Sequence, residues 1–292
     1  PDRYLMLYKG YFDIVDSFPG QTSLFAAEID LSYNGGLGKV LYKDSVLLGG
    51  HVHDAVAAVR HGNGRDWWVI FPYGPHRQFW KILVGPHGVD RINSQTMPPP
   101  YSPYTVVYKV QVNEDPPLFE DLIPYEAAFE AQNAQAVFSP DGTKYCRVIR
   151  SGDVEIYDFD RCSGELKLRR LLALPMYTET DYPLKCAGLC VSPNSRYLYF
   201  NNDEGLFQFD MCEECIESVD FKLIEYYDGF VDPIGIPVDF FQMRNAPDGK
   251  IYMTAPNTTP YLHVIEKPNE PGERCQFKQH GVELPRYTSR TV

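Results

Sequence analysis

A proline-led corner recurs in this chain at a nearly fixed interval, and nothing else in the sequence constrains the fold as much. The stretches AVFSPDGTKYCRVI at 136–149, LCVSPNSRYLYF at 189–200 and QMRNAPDGKIYM at 242–253 align with one another, and their prolines, Pro140, Pro193 and Pro247, stand 53 and 54 residues apart. In each, an apolar run enters a corner where proline presets φ and Asp or Asn bonds back to the backbone. A second run then leaves the corner. A repeat of this length belongs to propellers and solenoid arrays.

One period resolves into four short strands. In the unit that opens at 136, a second strand follows at 144–149, and Ser-Gly-Asp at 151–153 turns the chain into a third at 154–159. There Val154, Ile156 and Asp158 alternate with Glu155, Tyr157 and Phe159, and a loop at 161–164 leads to a fourth strand at 166–174. Four antiparallel strands per unit predict one β-propeller blade. Upstream, 53–61, 66–73, 77–84 and 89–94 predict another. Segments 4–13, 23–31 and 39–48 predict three strands of a blade whose innermost strand is missing, with Asn34-Gly-Gly as a hairpin turn. Helical periodicity is confined to 124–135. Residues 97–133, rich in Pro and aromatics, are expected to be an insertion between blades. The expectation is an all-β chain, a β-propeller of four-stranded blades with five visible and the first incomplete. A complete ring would hold six or seven, so 1–292 is read as one domain truncated at both ends. The competing fold is a pair of β-sandwiches with coincident turns.

Charge narrows the partners. Lys+Arg number 27 and Asp+Glu 39, a net charge of −12. That opposes a nucleic-acid face, which needs clustered cations to displace counterions. No apolar run approaches the ~20 residues needed to cross a bilayer as a helix.

Several stretches resemble the propeller repeats of large secreted Bacteroidetes (Saprospiraceae-like) surface proteins that carry PKD-like domains and a type IX secretion sorting domain. They are LFAAEIDLSYNGGLGKV at 24–40, AVRHGNGRDWWVI at 58–70, VFSPDGTK at 137–144, YDFDRCSGE at 157–165 and APDGKIY at 246–252. The resemblance implies an extracellular, cell-surface setting and a binding or scaffolding role, and carries over no catalytic residue. The further repeat that normally precedes the position of Tyr4 is absent from this sequence, as is the sorting domain.

Candidate chemistry is sparse. His51, His53, His61 and Asp66 crowd one region, and His-x-His on a strand puts both rings on one face, as metal and acid–base sites do. The structural alternative is a set of strand-end residues that hold the turn at 62–64. Trp67, Trp68, Tyr73 and Trp80 fall in one blade and could stack on sugar rings or pack between blades; alternation sends Trp67 and Trp68 to opposite faces. Cys212 and Cys215 form a CxxC after a strand, expected to be a local disulfide clamp. Free thiols, or zinc or redox use with Cys186 and Cys190, are the alternatives. Cys146 and Cys190 read as small buried hydrophobes. The carboxylates of Asp141, Asp153, Asp203, Glu204 and Asp248 stand on turns, without a calcium-loop pattern. The sequon at Asn257 and the glycine-rich run at 34–39 carry no assignment, since the run lacks a phosphate loop's first Gly, its Ser/Thr and its helix.

The leading expectation is a non-catalytic extracellular recognition or scaffold module without cofactor or metal. Its partners would be protein or carbohydrate at the loop faces, other domains of the same polypeptide, or copies of itself. The alternatives are a propeller hydrolase or lyase with an axial His/Asp or metal site, and a structural subunit of an extracellular filament.

Overall fold

The computed structural model describes residues 2–11, 22–49, 55–73, 78–97, 104–105, 123–124, 135–148, 154–172, 188–202, 205–212, 221–256 and 258–286. Among them the chain is strand and turn, with short 3-10 turns only. The first sheet holds β1 (Arg3–Tyr11), β2 (Thr22–Asp30) and β3 (Lys39–Leu48). The second holds β4 (Ala57–Arg60), β5 (Trp67–Tyr73), β6 (Gln78–Gly85) and β7 (Gly88–Thr96). A two-stranded ribbon, β8 (Tyr104–Thr105) and β9 (Ile123–Pro124), follows. The third sheet is β10 (Ala136–Phe138), β11 (Lys144–Val148), β12 (Val154–Asp160) and β13 (Glu165–Leu172). The fourth is β14 (Leu189–Val191), β15 (Tyr197–Asn201), β16 (Gly205–Asp210) and β17 (Lys222–Tyr226). The fifth is β18 (Met243–Asn245), β19 (Ile251–Met253), β20 (Tyr261–Ile265) and β21 (Phe277–Glu283). Each sheet is an antiparallel meander in sequence order, and the short first strands β4, β10, β14 and β18 are neighbours in turn. The sheets are the blades of a β-propeller and these strands are its inner wall. The first blade has three strands, as its sequence predicts.

Packing explains why the interior blades do not alternate polar and apolar. A blade between two others buries both faces. On β12, Val154 and Ile156 join the cluster shared with the fourth blade, including Leu189, Leu198, Phe200 and Phe209. Tyr157 and Phe159 join Trp68, Ile70 and Phe79 of the second. The fourth and fifth blades meet through Tyr199, Leu206, Met243, Ile251 and Ile265, and the first meets the second through Leu24, Val69, Phe71 and Ile82. Buried aromatic area of this kind dominates core energetics.

The corners repeat bond for bond. Gly142 N donates to Ser139 O at 2.8 Å, Ser195 N to Ser192 O at 2.8 Å and Gly249 N to Ala246 O at 3.0 Å. Asp141, Asn194 and Asp248 each accept the backbone N–H two residues on, from Thr143, Arg196 and Lys250. The carboxylates of Asp141 and Asp248 are thereby turn formers; Asp153, Asp203 and Glu204 lie outside the described residues. The second blade makes the same corner without proline: Gly64 N donates to His61 O at 2.9 Å and Arg65 N to Asn63 Oδ1 at 3.0 Å. In the second to fifth blades the register slips between the third and fourth strands, a bulge that increases the local twist.

Candidate functional site: an axial pocket

One side chain ties the inner strands together. Gln135, buried just before β10, accepts Leu189 N at 3.1 Å and Met243 N at 3.1 Å on Oε1, while its Nε2 donates to Met243 O at 2.6 Å. A single amide on the third blade therefore bridges the start of the inner strands of the fourth and fifth. Asn201 adds a second tie, donating to Phe241 O at 2.6 Å and accepting Gly188 N at 3.2 Å. Gly188 has to be glycine, because a Cβ there would lie 2.0 Å from Phe241 O.

The inner strands wall a pocket of about 680 Å³, a size that suits a small molecule. Val56, Ala58, Arg60 and Trp67 line it from the second blade, Phe138 and Asp141 from the third, Val191 from the fourth, and Arg244 and Asn245 from the fifth. Its rim is fixed by Arg161, which reaches over from the β12–β13 turn. The guanidinium donates to Arg60 O at 2.9 Å, Asp141 O at 3.1 Å and His61 O at 3.4 Å. Its own carbonyl accepts Gly62 N and Trp68 Nε1, each at 2.9 Å. Asn245 Nδ2 donates to Val191 O at 2.7 Å, stitching the far wall.

Three arginines and one carboxylate line the pocket, and that carboxylate is committed. Asp141 Oδ1 accepts Ser139 Oγ at 2.6 Å and both Thr143 N and Oγ1 at 2.9 Å. Burial works to raise its pKa, but these bonds and the nearby Lys144 hold it below the ordinary value, so its charge serves the turn. Arg161 is spent on carbonyls. Arg60 and Arg244 have no carboxylate partner among the described residues. Arg60 lies over the Trp67 ring, 5.3 Å from its centroid, an arrangement that leaves guanidinium N–H groups available.

The residues singled out in the sequence divide between rim, core and undescribed segments. His61 and Asp66 stand beside the pocket but do not line it. His61 Nδ1 accepts Asn63 N at 3.0 Å and its Nε2 lies 3.1 Å from Cys162 O. Asp66 binds Arg65 Nε and Asn63 Nδ2, each at 2.7 Å. Arg65 and then Asn63 hold that carboxyl down to about 2. Both residues build the turn. Trp68 is completely buried between the second and third blades and offers no ligand surface, whereas Trp67 is 42% exposed and lines the pocket. Trp80 is half-buried against the first blade. Cys146, Cys162, Cys190 and Cys275 are free thiols. Burial pushes Cys146 and Cys190 up to about 12, as inert core residues. Cys212 is not among the free thiols, and its expected partner Cys215, with His51, His53, Cys186, Asn257, the Tyr73 side chain and most of 97–133, lies outside the described residues. Among the described residues no group of three or more His, Cys, Asp or Glu could hold a metal, and no helix is long and apolar enough to cross a membrane. Arg60, Arg161 and Arg244 escaped the sequence reading; the one available signal was that Arg60 and Arg244 interrupt apolar inner strands.

Fold and site define an all-β propeller with a pocket walled by its inner strands. No protein-family model matches the sequence, and no curated protein matches it. Solved structures share the fold. Two are described as putative 6-phosphogluconolactonases, from Bacteroides uniformis ATCC 8492 and Bacteroides fragilis NCTC 9343. Each superposes with a TM-score of 0.52, at 13% and 12% identity; the matches cover 91% of this chain and 69% and 68% of theirs.

Proposed function

We propose that the axial pocket is the working site and that the protein is a propeller enzyme hydrolysing a small sugar-derived lactone. The observation that carries this is the pocket itself, ligand-sized and bearing two guanidinium groups, Arg60 and Arg244, without carboxylate partners among the described residues. The fold shared with two putative 6-phosphogluconolactonases supports it. The chemistry suits cations. Water adds to the lactone carbonyl, the ring C–O bond breaks, and the neutral ester becomes a hydroxy acid that releases its proton as a carboxylate. Negative charge grows on the carbonyl oxygen on the way, and a fixed guanidinium stabilises it. Arg161 contributes by holding Arg60 and Asp141 in place through their carbonyls.

The test is hydrolysis of glucono-δ-lactone and 6-phosphoglucono-δ-lactone, followed by acid release at constant pH. Saturable turnover above the spontaneous rate, reduced ~100-fold by Arg60→Gln or Arg244→Gln, is expected. A rate no faster than buffer for both lactones overturns the enzyme reading.

One observation favours a second reading, recognition without turnover. Among the described residues the pocket lining has no histidine, and its only carboxylate is held in a turn. Saturable binding of gluconate with no acceleration of lactone opening would select it. In either reading the surface-protein resemblance and the acidic balance support work outside the cytoplasm, within a larger polypeptide.

A further inference from the structure

We infer that the ligand of the axial pocket carries an anionic group at each of two ends, one held by Arg60 and the other by Arg244. This rests on the axial pocket being the working site, and it adds the ligand's charge pattern.

The argument is one of position and availability. Arg60 ends β4 and Arg244 is the middle residue of β18. The inner strands run in the order β4, β10, β14, β18, so two blades separate the pair and they face one pocket from different walls. A single small anion is served by one bidentate guanidinium; two on separate walls suit two anions on one skeleton. Several guanidiniums elsewhere in this acidic protein are engaged by carboxylates. Arg3 meets Glu28 and Asp30, Arg65 meets Asp66, Arg147 meets Glu155, and Arg196 meets Asp210. Arg60 and Arg244 are paired with no carboxylate among the described residues, and what distinguishes them is that both line one cavity in a chain of net charge −12. The lining between them suits a hydroxylated carbon chain. Trp67 offers a ring face, partly exposed, and Val56, Ala58 and Val191 give a smooth wall.

Glucarate and gluconate test this directly, because they share a six-carbon polyol skeleton and differ in a second terminal carboxylate. Titration calorimetry on the full chain is expected to show glucarate binding roughly tenfold or more tightly than gluconate, with the advantage shrinking as salt is raised. Arg60→Gln and Arg244→Gln are each expected to bring glucarate to within about threefold of gluconate, and the double variant to abolish binding of both. Both side chains are exposed, and unchanged melting of the variants confirms that they fold. Equal affinity of the wild type for the two acids, or an advantage that survives either single substitution, overturns the two-ended assignment while leaving the pocket as the site. Binding of neither acid overturns it as well; only if lactone turnover is also absent does the axial-site reading fall with it.

Discussion

At the residue scale the most consequential group outside the pocket is Glu155. It is fully buried, as is its partner Arg147, whose Nε lies 2.7 Å and Nη2 2.6 Å from Oε2; the Tyr157 hydroxyl donates to the same oxygen at 2.5 Å. Arg147 also lies over Phe79, 4.8 Å from its centroid, at the contact with the second blade. Burial opposes the charge on Arg147, but Glu155 raises its pKa and keeps the pair ionic. Removing one partner strands a buried charge, so Glu155→Gln is expected to cost about 3–5 kcal/mol, whereas Arg147→Met with Glu155→Leu should lie within about 2 kcal/mol of wild type. Urea denaturation of the three proteins checks the contrast. In the sequence Glu155 stands only as one of an alternating set with Tyr157 and Phe159, and nothing there marks it as buried. Alternation reports exposure only when one sheet face is wet, and β12 has neither face wet. The two pocket arginines escaped for the opposite reason: they are exposed on β4 and β18, where a cation reads as an ordinary solvated residue. Trp67 and Trp68 divided between faces as alternation requires, because that rule depends on strand geometry and not on burial.

At the scale of the element, corners were legible and inner ties were not. The proline-led corners carry their own local chemistry, and three of four were read from turn residues alone. The fourth, at 61–64, was recognised as a turn but not as the same corner, since glycine replaces proline. Gln135 was invisible for a different reason: it closes a stretch of helical periodicity, and its partners Leu189 and Met243 lie 54 and 108 residues away. Replacing it with alanine leaves two buried N–H groups and a carbonyl without that partner. Gln135→Ala should therefore cost about 2–4 kcal/mol. Hydrogen exchange is expected to quicken most at Leu189 and Met243; uniform quickening across all blades would count against a local tie. Arg161→Gln tests the rim in the same way. It should lower stability by about 1–3 kcal/mol through the lost charged hydrogen bonds, measured as a urea midpoint. A shift confined to ligand affinity would refute its role as a staple.

For the whole molecule, stability should depend on pH through a buried imidazole in the fifth blade. His263 is inaccessible to solvent, set against Phe240 at 5.0 Å between ring centroids, with its Nδ1 accepting His280 N at 3.1 Å. His280 Nε2 in turn lies 2.7 Å from Asp228 Oδ2. Burial drives the His263 pKa down to about 4 from an ordinary 6.5. The unfolded chain therefore takes up this proton first. The neutral ring's stabilisation is complete above pH 6.5, declines as pH falls from 6.5 to about 4, and is lost below that, about 3 kcal/mol in all. Asp228 acts in the same direction lower down, since its own pKa is depressed: burial opposes this, but the bond to His280 prevails. Denaturation midpoints at pH 7 and pH 4.5 should separate in wild type and converge in His263→Gln; equal separation in both assigns the effect to other groups.

The glutamine at the hub has one more consequence. Because Gln135 fastens its own blade to the two that follow, the single meander is not the unit that can be moved. Excising or duplicating any of those three would leave donors or an acceptor dangling at the centre. Recombination, natural or in the laboratory, has to carry the third, fourth and fifth repeats as one cassette.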